Sequence, residues 1–226
     1  MTLPFYVSPE QITKDKADFA RKGIARGRSL VAIEYGDGIL IVAENPSGSL
    51  NKISEVYDRI AFAAVGRYNE FETLRVAGVR LADMTGFANS REDVNARALA
   101  NVYAQQLGTI FTTELKPFEV ELLLCEVGDS TESNEMYHVY YDGTLEDEVG
   151  FAVMGGQAEV VESYLEGRFK TGLSMSEAFS LARRALEAAD SERALTASSL
   201  EVGVLERDLE RRKFRRFRAD EVAGLF

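Results

Sequence analysis

Only a few residues of this chain combine a reactive type with a setting in which they would do chemistry. The single cysteine, Cys125, lies inside an apolar run at residues 120–125, a pattern typical of a buried strand rather than of a nucleophile or a metal ligand. The single histidine, His138, alternates with its neighbours inside a predicted strand and has no evident metal partners. We therefore interpret both as structural residues, and the sequence predicts neither a metal ion nor a cofactor.

Two other patterns suggest binding chemistry. Gly155 and Gly156 stand between an apolar strand and a helix, where a helix N-terminus can hold a phosphate, but the full glycine fingerprint and a phosphate-binding lysine are missing. The arginine-rich segment 207–218 contains interleaved phenylalanines, which is typical of nucleic-acid binding. Acidic residues interrupt it, and the net charge of −11 opposes a nucleic-acid or anionic-membrane role. A solvated hairpin is the preferred interpretation, and nucleic-acid binding is an alternative.

Length and composition favour one globular unit. With 226 residues, 46% of them hydrophobic, the chain can bury a substantial core, so a single domain over residues 1–226 is predicted. No stretch is long enough to span a bilayer, and residues 1–7 lack the basic region and the long apolar core of a signal peptide. A cytoplasmic location is therefore expected, with no membrane partner.

The strongest local signal for structure is a hairpin. Two apolar, β-prone runs at residues 30–35 and 39–43 are separated by Gly36-Asp37-Gly38. Both runs are nearly continuously apolar rather than alternating, which indicates a sheet covered on both faces. The hairpin is therefore expected at the centre of its sheet.

A helix over residues 9–26 is predicted before the hairpin. Ser8 is its expected N-cap, Pro9 suits the first helical position, and Gln11 completes a capping box. Its predicted core-facing side carries Ile12, Phe19, Ala20, Gly23 and Ile24.

The rest of the chain alternates between strands and pairs of helices. Strands are predicted at residues 59–66, 120–127, 137–141, 150–154, 199–205 and 214–218, and helices at residues 68–83, 90–115 and 157–166. Ser90 is the expected cap of the second of these helices, Ser174 and Glu177 open a further helix with a capping box, and Asp220 caps a short terminal one.

The stretch 27–52 resembles the opening hairpin of proteasome-type N-terminal-nucleophile proteins. A catalytic subunit of that family begins with threonine at the start of the first strand and carries an aspartate at the end of the second. Glu44 takes the aspartate's place, and counting back puts Arg28 at the nucleophile's place. Arg28 cannot attack a carbonyl and lies inside the chain rather than at a free amine. The resemblance is therefore to the non-catalytic α-type subunit, most closely to the actinobacterial kind.

A second, shorter motif supports this resemblance. Residues 116–119, Lys-Pro-Phe-Glu, resemble the arginine-proline-aromatic-glycine motif at a helix-to-strand junction of α-type subunits. Lysine replaces the arginine, and Glu119 replaces the glycine.

The resemblance covers essentially the whole chain and implies an α+β fold. The expected architecture is the four-layer α-β-β-α sandwich of N-terminal-nucleophile hydrolases, formed by residues 27–226 and preceded by an extra N-terminal helix at 9–26. The implied function is that of a non-catalytic outer-ring subunit of the 20S proteasome core, which scaffolds assembly and gates substrate access.

The implied partners follow from that role. Seven copies form a homo-heptameric ring that caps rings of proteasome β subunits, and a ring-shaped ATPase activator docks through its C-terminal tail. Substrates are unfolded proteins, and the actinobacterial likeness suggests that they are tagged by the prokaryotic ubiquitin-like modifier.

The family also implies two functional sites. Lys52 lies in the pocket between neighbouring subunits and receives the carboxylate of the activator's tail, a charge-assisted contact that distinguishes a chain end from a mid-chain peptide. The gate is the N-terminal leader, formed by Met1, Thr2, Leu3, Pro4, Phe5, Tyr6, Val7, Ser8, Pro9 and Glu10.

The alternative is an enzyme. Cleavage before Ser29 would expose an N-terminal serine and give a self-processing N-terminal serine hydrolase. Against it, Ser29 is one residue out of register with Glu44, and no strong lysine partner is expected nearby.

Overall fold

Two five-stranded antiparallel sheets lie face to face in the computed structural model of the protein, which describes residues 8–190 and 194–226. The first sheet has the strand order β10-β9-β2-β1-β8, and the second has the order β3-β4-β5-β6-β7. The strands are β1 (Leu30–Tyr35), β2 (Gly38–Glu44), β3 (Ile53–Tyr57), β4 (Ile60–Gly66), β5 (Val120–Glu126), β6 (Glu135–Val139), β7 (Leu145–Glu148), β8 (Phe151–Met154), β9 (Leu200–Glu206) and β10 (Phe214–Arg216).

Helices cover the outer face of each sheet. The α-helices in the described ranges are α1 (Pro9–Ile24), α2 (Tyr68–Ala88), α3 (Ala96–Thr113), α4 (Ala158–Glu166), α5 (Met175–Ala188) and α6 (Ala219–Ala223). Buried side chains of α4, α5 and α6 pack on the first sheet, and those of α2 and α3 pack on the second. This is the predicted four-layer α-β-β-α sandwich. Within the described ranges, the helices do not combine the length and the hydropathy that crossing a bilayer requires.

The predicted hairpin is confirmed at the centre of its sheet. β1 pairs with β2 on one side and with β8 on the other, and β2 pairs with β9. Alternate side chains of β1 enter different cores: Ala32 packs between the two sheets, whereas Ile33 packs under α4 and α5. A strand that is buried on both faces needs apolar residues at nearly every position, which explains its continuous pattern.

The helix α1 closes one end of the sandwich, which we call the α1 end: here β2 and β4 end and β1 and β5 begin. Ala20 and Ile24 are buried in the cluster between the sheets. Two other members of the predicted core-facing side, Ile12 and Phe19, are 46% and 45% exposed. The helix ends at Ile24 rather than near residue 26.

Ser8 is the N-cap of α1, as predicted, but the Gln11 side chain does not bond back to Ser8 as a capping box requires. The Ser8 hydroxyl accepts from the backbone N–H of Gln11 at 3.2 Å. The Gln11 side chain donates instead to Asp15 Oδ1 at 2.6 Å, one turn ahead. The second predicted box is confirmed, with Ser174 and Glu177 capping each other at the start of α5.

Two predicted helix starts are wrong. Ser90 caps a single 3₁₀ turn, Arg91–Asp93, and α3 begins only at Ala96 with Asn95 as its N-cap. Asp220 lies in the first turn of α6, whose N-cap is Arg218.

The strands β3 and β7 had no counterpart in the prediction, and α2 runs five residues further than predicted, to Ala88. The sequence of β7, Leu-Glu-Asp-Glu, is polar because this strand lies at the edge of its sheet, where side chains face water.

Candidate functional site

The residues singled out in the sequence meet at the α1 end. Arg28 and Ser29 directly precede β1, Glu44 is the last residue of β2, and Lys52 directly precedes β3. Because β1 and β2 are antiparallel, the start of one strand lies beside the end of the other, and the Glu44 N–H donates to the Ser29 carbonyl at 3.1 Å. Arg28, Ser29, Glu44 and Gly156 are among the residues that line an open cleft of about 370 Å³.

Arg28 and Glu44 form an ion pair in this cleft. Arg28 Nη1 contacts Glu44 Oε1, and the side chain of Glu44 is 7% exposed whereas that of Arg28 is 40% exposed. A carboxylate removed from water needs a compensating charge, which the guanidinium supplies. The predicted nucleophile and acid positions are thus brought together, but as a neutralised pair.

Lys52 is the partly buried cation of the site. Its Nζ donates to the backbone carbonyl of Arg28 at 2.8 Å. Burial lowers its pKa to about 8, against the opposing effect of the charges of Glu44 and Glu201. The amine therefore stays mostly protonated at neutral pH, and an ammonium has three N–H donors.

The backbone around Lys52 is held by Glu201, a residue that was not predicted from the sequence. Glu201, on β9, is 9% exposed, and its Oε2 accepts from the Lys52 N–H at 2.8 Å. Its other oxygen accepts from Arg216 Nη1 at 2.8 Å. The available signal was a glutamate inside an otherwise apolar strand that is buried on both faces.

Of the predicted gate residues, the structure describes three. Ser8 caps α1, Pro9 is its first residue, and Glu10 is exposed in its first turn. The remaining seven, Met1, Thr2, Leu3, Pro4, Phe5, Tyr6 and Val7, lie outside the described residues.

The surroundings of Ser29 bear on the serine-hydrolase alternative. The Glu44 N–H donates to the Ser29 carbonyl, but the side chain that pairs with the Glu44 carboxylate is that of Arg28, the residue before Ser29. Lys52, although distant in sequence, contacts the carbonyl of Arg28, the residue before Ser29. Two features of Ser29 oppose this chemistry. The residue is 6% exposed, and its nitrogen is part of a peptide bond in the segment that joins α1 to β1, so it is not a free amine.

The junction between α3 and β5 fixes α1 in place. The Glu119 carboxylate, 9% exposed, lies 3.3 Å from Arg67 and 3.2 Å from Lys116. Gly23 of α1 packs directly on this carboxylate, where a Cβ would overlap the Glu119 side chain. Lys16 of α1 also donates to the carbonyl of Phe111 at 3.0 Å, near the end of α3.

The predicted structural roles of Cys125 and His138 agree with their surroundings. Cys125 is fully buried, which raises the pKa of its thiol and leaves it unreactive. His138 stacks on Tyr140 and has Glu121 at 3.6 Å and Glu148 at 3.5 Å from its two ring nitrogens. Burial lowers the pKa of His138, but the two carboxylates more than offset this and raise it overall. No group of three potential metal ligands is present among residues 8–190 and 194–226.

Most arginines of segment 207–218 make contacts within the molecule. Arg212 pairs with Glu55, and Arg215 pairs with Glu206 at 2.7 Å. Arg207 donates to the carbonyl of Gly36 at 2.8 Å. These contacts support the hairpin interpretation over nucleic-acid binding.

The glycine pair before α4 has a packing explanation. Gly155 has φ +110°, and a Cβ on Gly156 would overlap the carbonyl oxygen of Ala25. The Gly156 N–H donates to the Gly27 carbonyl at 3.1 Å. The turn therefore packs against the segment between α1 and β1.

Comparison with known proteins gives one consistent family. A family model described as proteasome subunit matches residues 24–205. The chain is 57% identical over 225 residues to a protein from Thermomonospora curvata, covering 100% of this chain and 98% of the relative. It is 58% identical over 225 residues to one from Xylanimonas cellulosilytica, covering 96% and 92%, and 56% identical over 232 residues to one from Kineococcus radiotolerans, covering 100% and 98%. Each of these relatives is named proteasome subunit alpha.

Proposed function

This chain belongs to the proteasome subunit family, and we propose that it is the gating and activator-docking subunit of a 20S core. As an α-type chain it is the non-catalytic outer-ring subunit of a threonine-type endopeptidase complex and assembles with β subunits. In our proposal seven copies form the ring, and the leader at residues 1–10 closes its axis. A ring-shaped ATPase docks through its C-terminal tail, and Lys52 receives that tail's carboxylate.

One observation carries the docking proposal, namely the environment of the Lys52 ammonium. It is partly buried at the α1 end, with one donor directed to the Arg28 carbonyl and a pKa of about 8. A partly desolvated ammonium gives a strong contact to a carboxylate and a poor one to a neutral peptide group. A short tail binds weakly alone, and repetition around a ring supplies the avidity.

The position of α1 supports the gating proposal. This helix directly follows the leader, and it is fixed to the sandwich through Lys16, Gly23, Ala20 and Ile24. A leader that emerges from a fixed helix has a defined starting point, which seven chains need in order to meet at one axis.

Exposed apolar side chains support assembly into rings. Ile12, Phe19 and Leu115 lie together at the α1 end, and Leu115 is 98% exposed. Met84 and Phe87 stand one turn apart on α2, 69% and 94% exposed. Large apolar side chains in such groups are typical of surfaces that another protein covers.

The substrates we propose are unfolded proteins tagged by the prokaryotic ubiquitin-like modifier, degraded in the cytoplasm. The support for this tag is the likeness to actinobacterial relatives. Arg28 and Glu44 are proposed as the degenerate nucleophile and acid positions, since their ion pair leaves neither group available for acyl transfer.

The Lys52→Ala substitution tests the docking proposal. We expect it to abolish activator-stimulated degradation of an unfolded protein while leaving assembly with β subunits intact, because the ammonium is removed and the backbone contacts remain. The measurements are degradation rate with and without the ring ATPase, and native mass spectrometry of the particle.

The matched control is Lys170→Ala, which removes an exposed lysine outside the site. It should keep the full stimulation. Stimulation of the Lys52→Ala particle equal to that of the wild type would exclude Lys52 as the receptor of the tail.

A further inference from the structure

The loop between β2 and β3, which carries Lys52, is tied to a carboxylate from a distant part of the chain. We infer that Glu201 is a positioning residue for activator docking, fixing residues 45–53 so that the Lys52 ammonium is presented to an incoming tail. This inference rests on the proposed role of Lys52 and adds a residue that does not itself touch the tail.

The geometry around Glu201 is that of a filled hydrogen-bonding site. Its Oε2 accepts from the Lys52 N–H at 2.8 Å and from Asn45 Nδ2 at 2.7 Å. Its Oε1 accepts from the Ile53 N–H at 3.2 Å and from Arg216 Nη1 at 2.8 Å. Four donors on a residue that is only 9% exposed satisfy a carboxylate that would otherwise be costly to desolvate.

These contacts fix the direction in which Lys52 leaves the backbone. Its N–H is held by Glu201 of the first sheet, and its carbonyl accepts from the Ala64 N–H of the second sheet at 2.9 Å. With both ends of the residue held, the side chain runs to the Arg28 carbonyl at the cleft. A preorganised ammonium loses less conformational entropy when it binds.

Asn45 links Glu201 to other residues of the loop by hydrogen bonds. Its Nδ2 donates both to Glu201 and to the Leu50 carbonyl, the latter at 2.6 Å. Its Oδ1 accepts from the Ser47 N–H at 3.1 Å. The start of the loop, through the Asn45 side chain, and its end, through the Lys52 and Ile53 N–H groups, are therefore bound to the same Glu201 carboxylate.

A matched pair on the same two strands separates positioning from general stabilisation. Glu206 of β9 pairs with Arg215 of β10, just as Glu201 pairs with Arg216. Glu206 lies at the opposite end of β9, away from the loop that carries Lys52. Removing either carboxylate breaks one ion pair with an arginine, but only the change at Glu201 also removes the hydrogen bond to the Lys52 N–H.

The test compares Glu201→Gln with Glu206→Gln in complete core particles with β subunits. The purified ring ATPase of the same host is titrated, and degradation is normalised to each particle's own rate without activator. Glutamine has one acceptor oxygen instead of two, so it leaves loop donors unpaired. We expect the activator concentration for half-maximal stimulation to rise about tenfold in Glu201→Gln, and less than about twofold in Glu206→Gln.

The effect should fall on the half-maximal concentration and not on the maximal stimulation, since a loosened loop still contains the ammonium. Asn45→Ala is measured beside Glu201→Gln, because that variant loosens the loop but keeps the carboxylate, its arginine and the charge that raises the pKa of Lys52; we expect it to raise the half-maximal concentration as well. An unchanged half-maximal concentration, or the same shift in Glu206→Gln, would overturn the inference. Full stimulation in Lys52→Ala would instead refute the proposed function on which it rests.

Discussion

At Lys52, opposing effects set the charge of a single amine. Burial favours the neutral form, and the carboxylates of Glu44 and Glu201 favour the ammonium, leaving a pKa of about 8. At pH 7 about nine in ten molecules carry the charge, and at pH 9 about one in ten. The charge on which we base tail recognition therefore titrates close to the physiological range.

Activator docking should consequently weaken as the pH rises through 8. The protonated form binds the carboxylate, so the half-maximal activator concentration should rise by about tenfold between pH 7 and pH 9. The measurement is an activator titration at several pH values, normalised to the rate without activator. Glu44→Gln should move the midpoint to lower pH, since the charge of Glu44 raises the pKa of Lys52. A flat profile would contradict the assignment.

The sequence predicted some residues of this site and missed others for a physical reason. Arg28, Glu44 and Lys52 belong to one continuous stretch; the register of the β1–β2 hairpin brings Arg28 and Glu44 together, and Lys52 reaches the Arg28 carbonyl from the loop that follows. Glu201 is 149 positions from Lys52, and their contact depends on how the two sheets stack. The pattern of apolar residues in β9 does not indicate which loop the Glu201 side chain contacts.

Among the elements, α1 packs on the α3–β5 junction through a close approach at one glycine. Gly23 lies against the Glu119 carboxylate, which Arg67 and Lys116 hold in place. In the sequence, Glu119 departs from a motif with glycine at this position. The structure shows that the larger side chain is accommodated by a glycine on the facing helix.

Gly23→Ala should therefore destabilise the protein. Alanine is the better helix former by about 1 kcal/mol, but overpacking against a held carboxylate costs about 1–3 kcal/mol. We expect a lower free energy of unfolding in urea, and an increased rate of unfolded-protein degradation without activator because α1, which follows the proposed gate segment, shifts.

Gly167→Ala is the control, since a Cβ there has no neighbour within 4 Å. The double variant Gly23→Ala/Glu119→Gly should recover part of the lost stability, because it vacates the space that the new methyl group needs. A Gly23→Ala protein as stable as the wild type would show that α1 does not depend on this contact.

Elements were predicted where the signal was local. The hairpin and the capping box at Ser174 are each encoded within a few residues, and both are confirmed. The edge strand β7 is polar and short, so it resembles a loop. Ser90 does act as a cap, since its hydroxyl accepts from the Glu92 N–H, but the turn that it caps ends after three residues.

For the whole molecule, the four-layer arrangement is predicted by the family resemblance. The continuously apolar strands support that prediction, because they indicate a sheet covered on both faces. The strand orders of the two sheets depend on pairing between distant segments, such as β1 with β8, and no local pattern in the sequence specifies such partners. The division into a gate segment, a helix and a sandwich stays a prediction, since residues 1–7 lie outside the described ranges.

The ring proposal predicts a definite particle. Native mass spectrometry of the tagged chain isolated from its host should give complexes with the chain in multiples of seven, together with a second protein that begins with threonine. The chain should retain the segment before β1, because α1 is part of the packed structure. A lone chain that starts at Ser29 would refute the assembly and support self-processing.

The packing of α1 at the end of the sandwich where β1 begins also bears on what a catalytic version of such a chain would need. A mutation that placed threonine at position 28 would not create a hydrolase, because the new residue would still be joined to Gly27 by a peptide bond. Removing the preceding segment would in turn expose the apolar core that Ala20 and Ile24 cover. A catalytic chain would therefore need a hydroxyl at position 28, cleavage of the bond before it, and polar replacements for the core residues that α1 now covers. Several separate changes thus stand between this chain and a catalytic one.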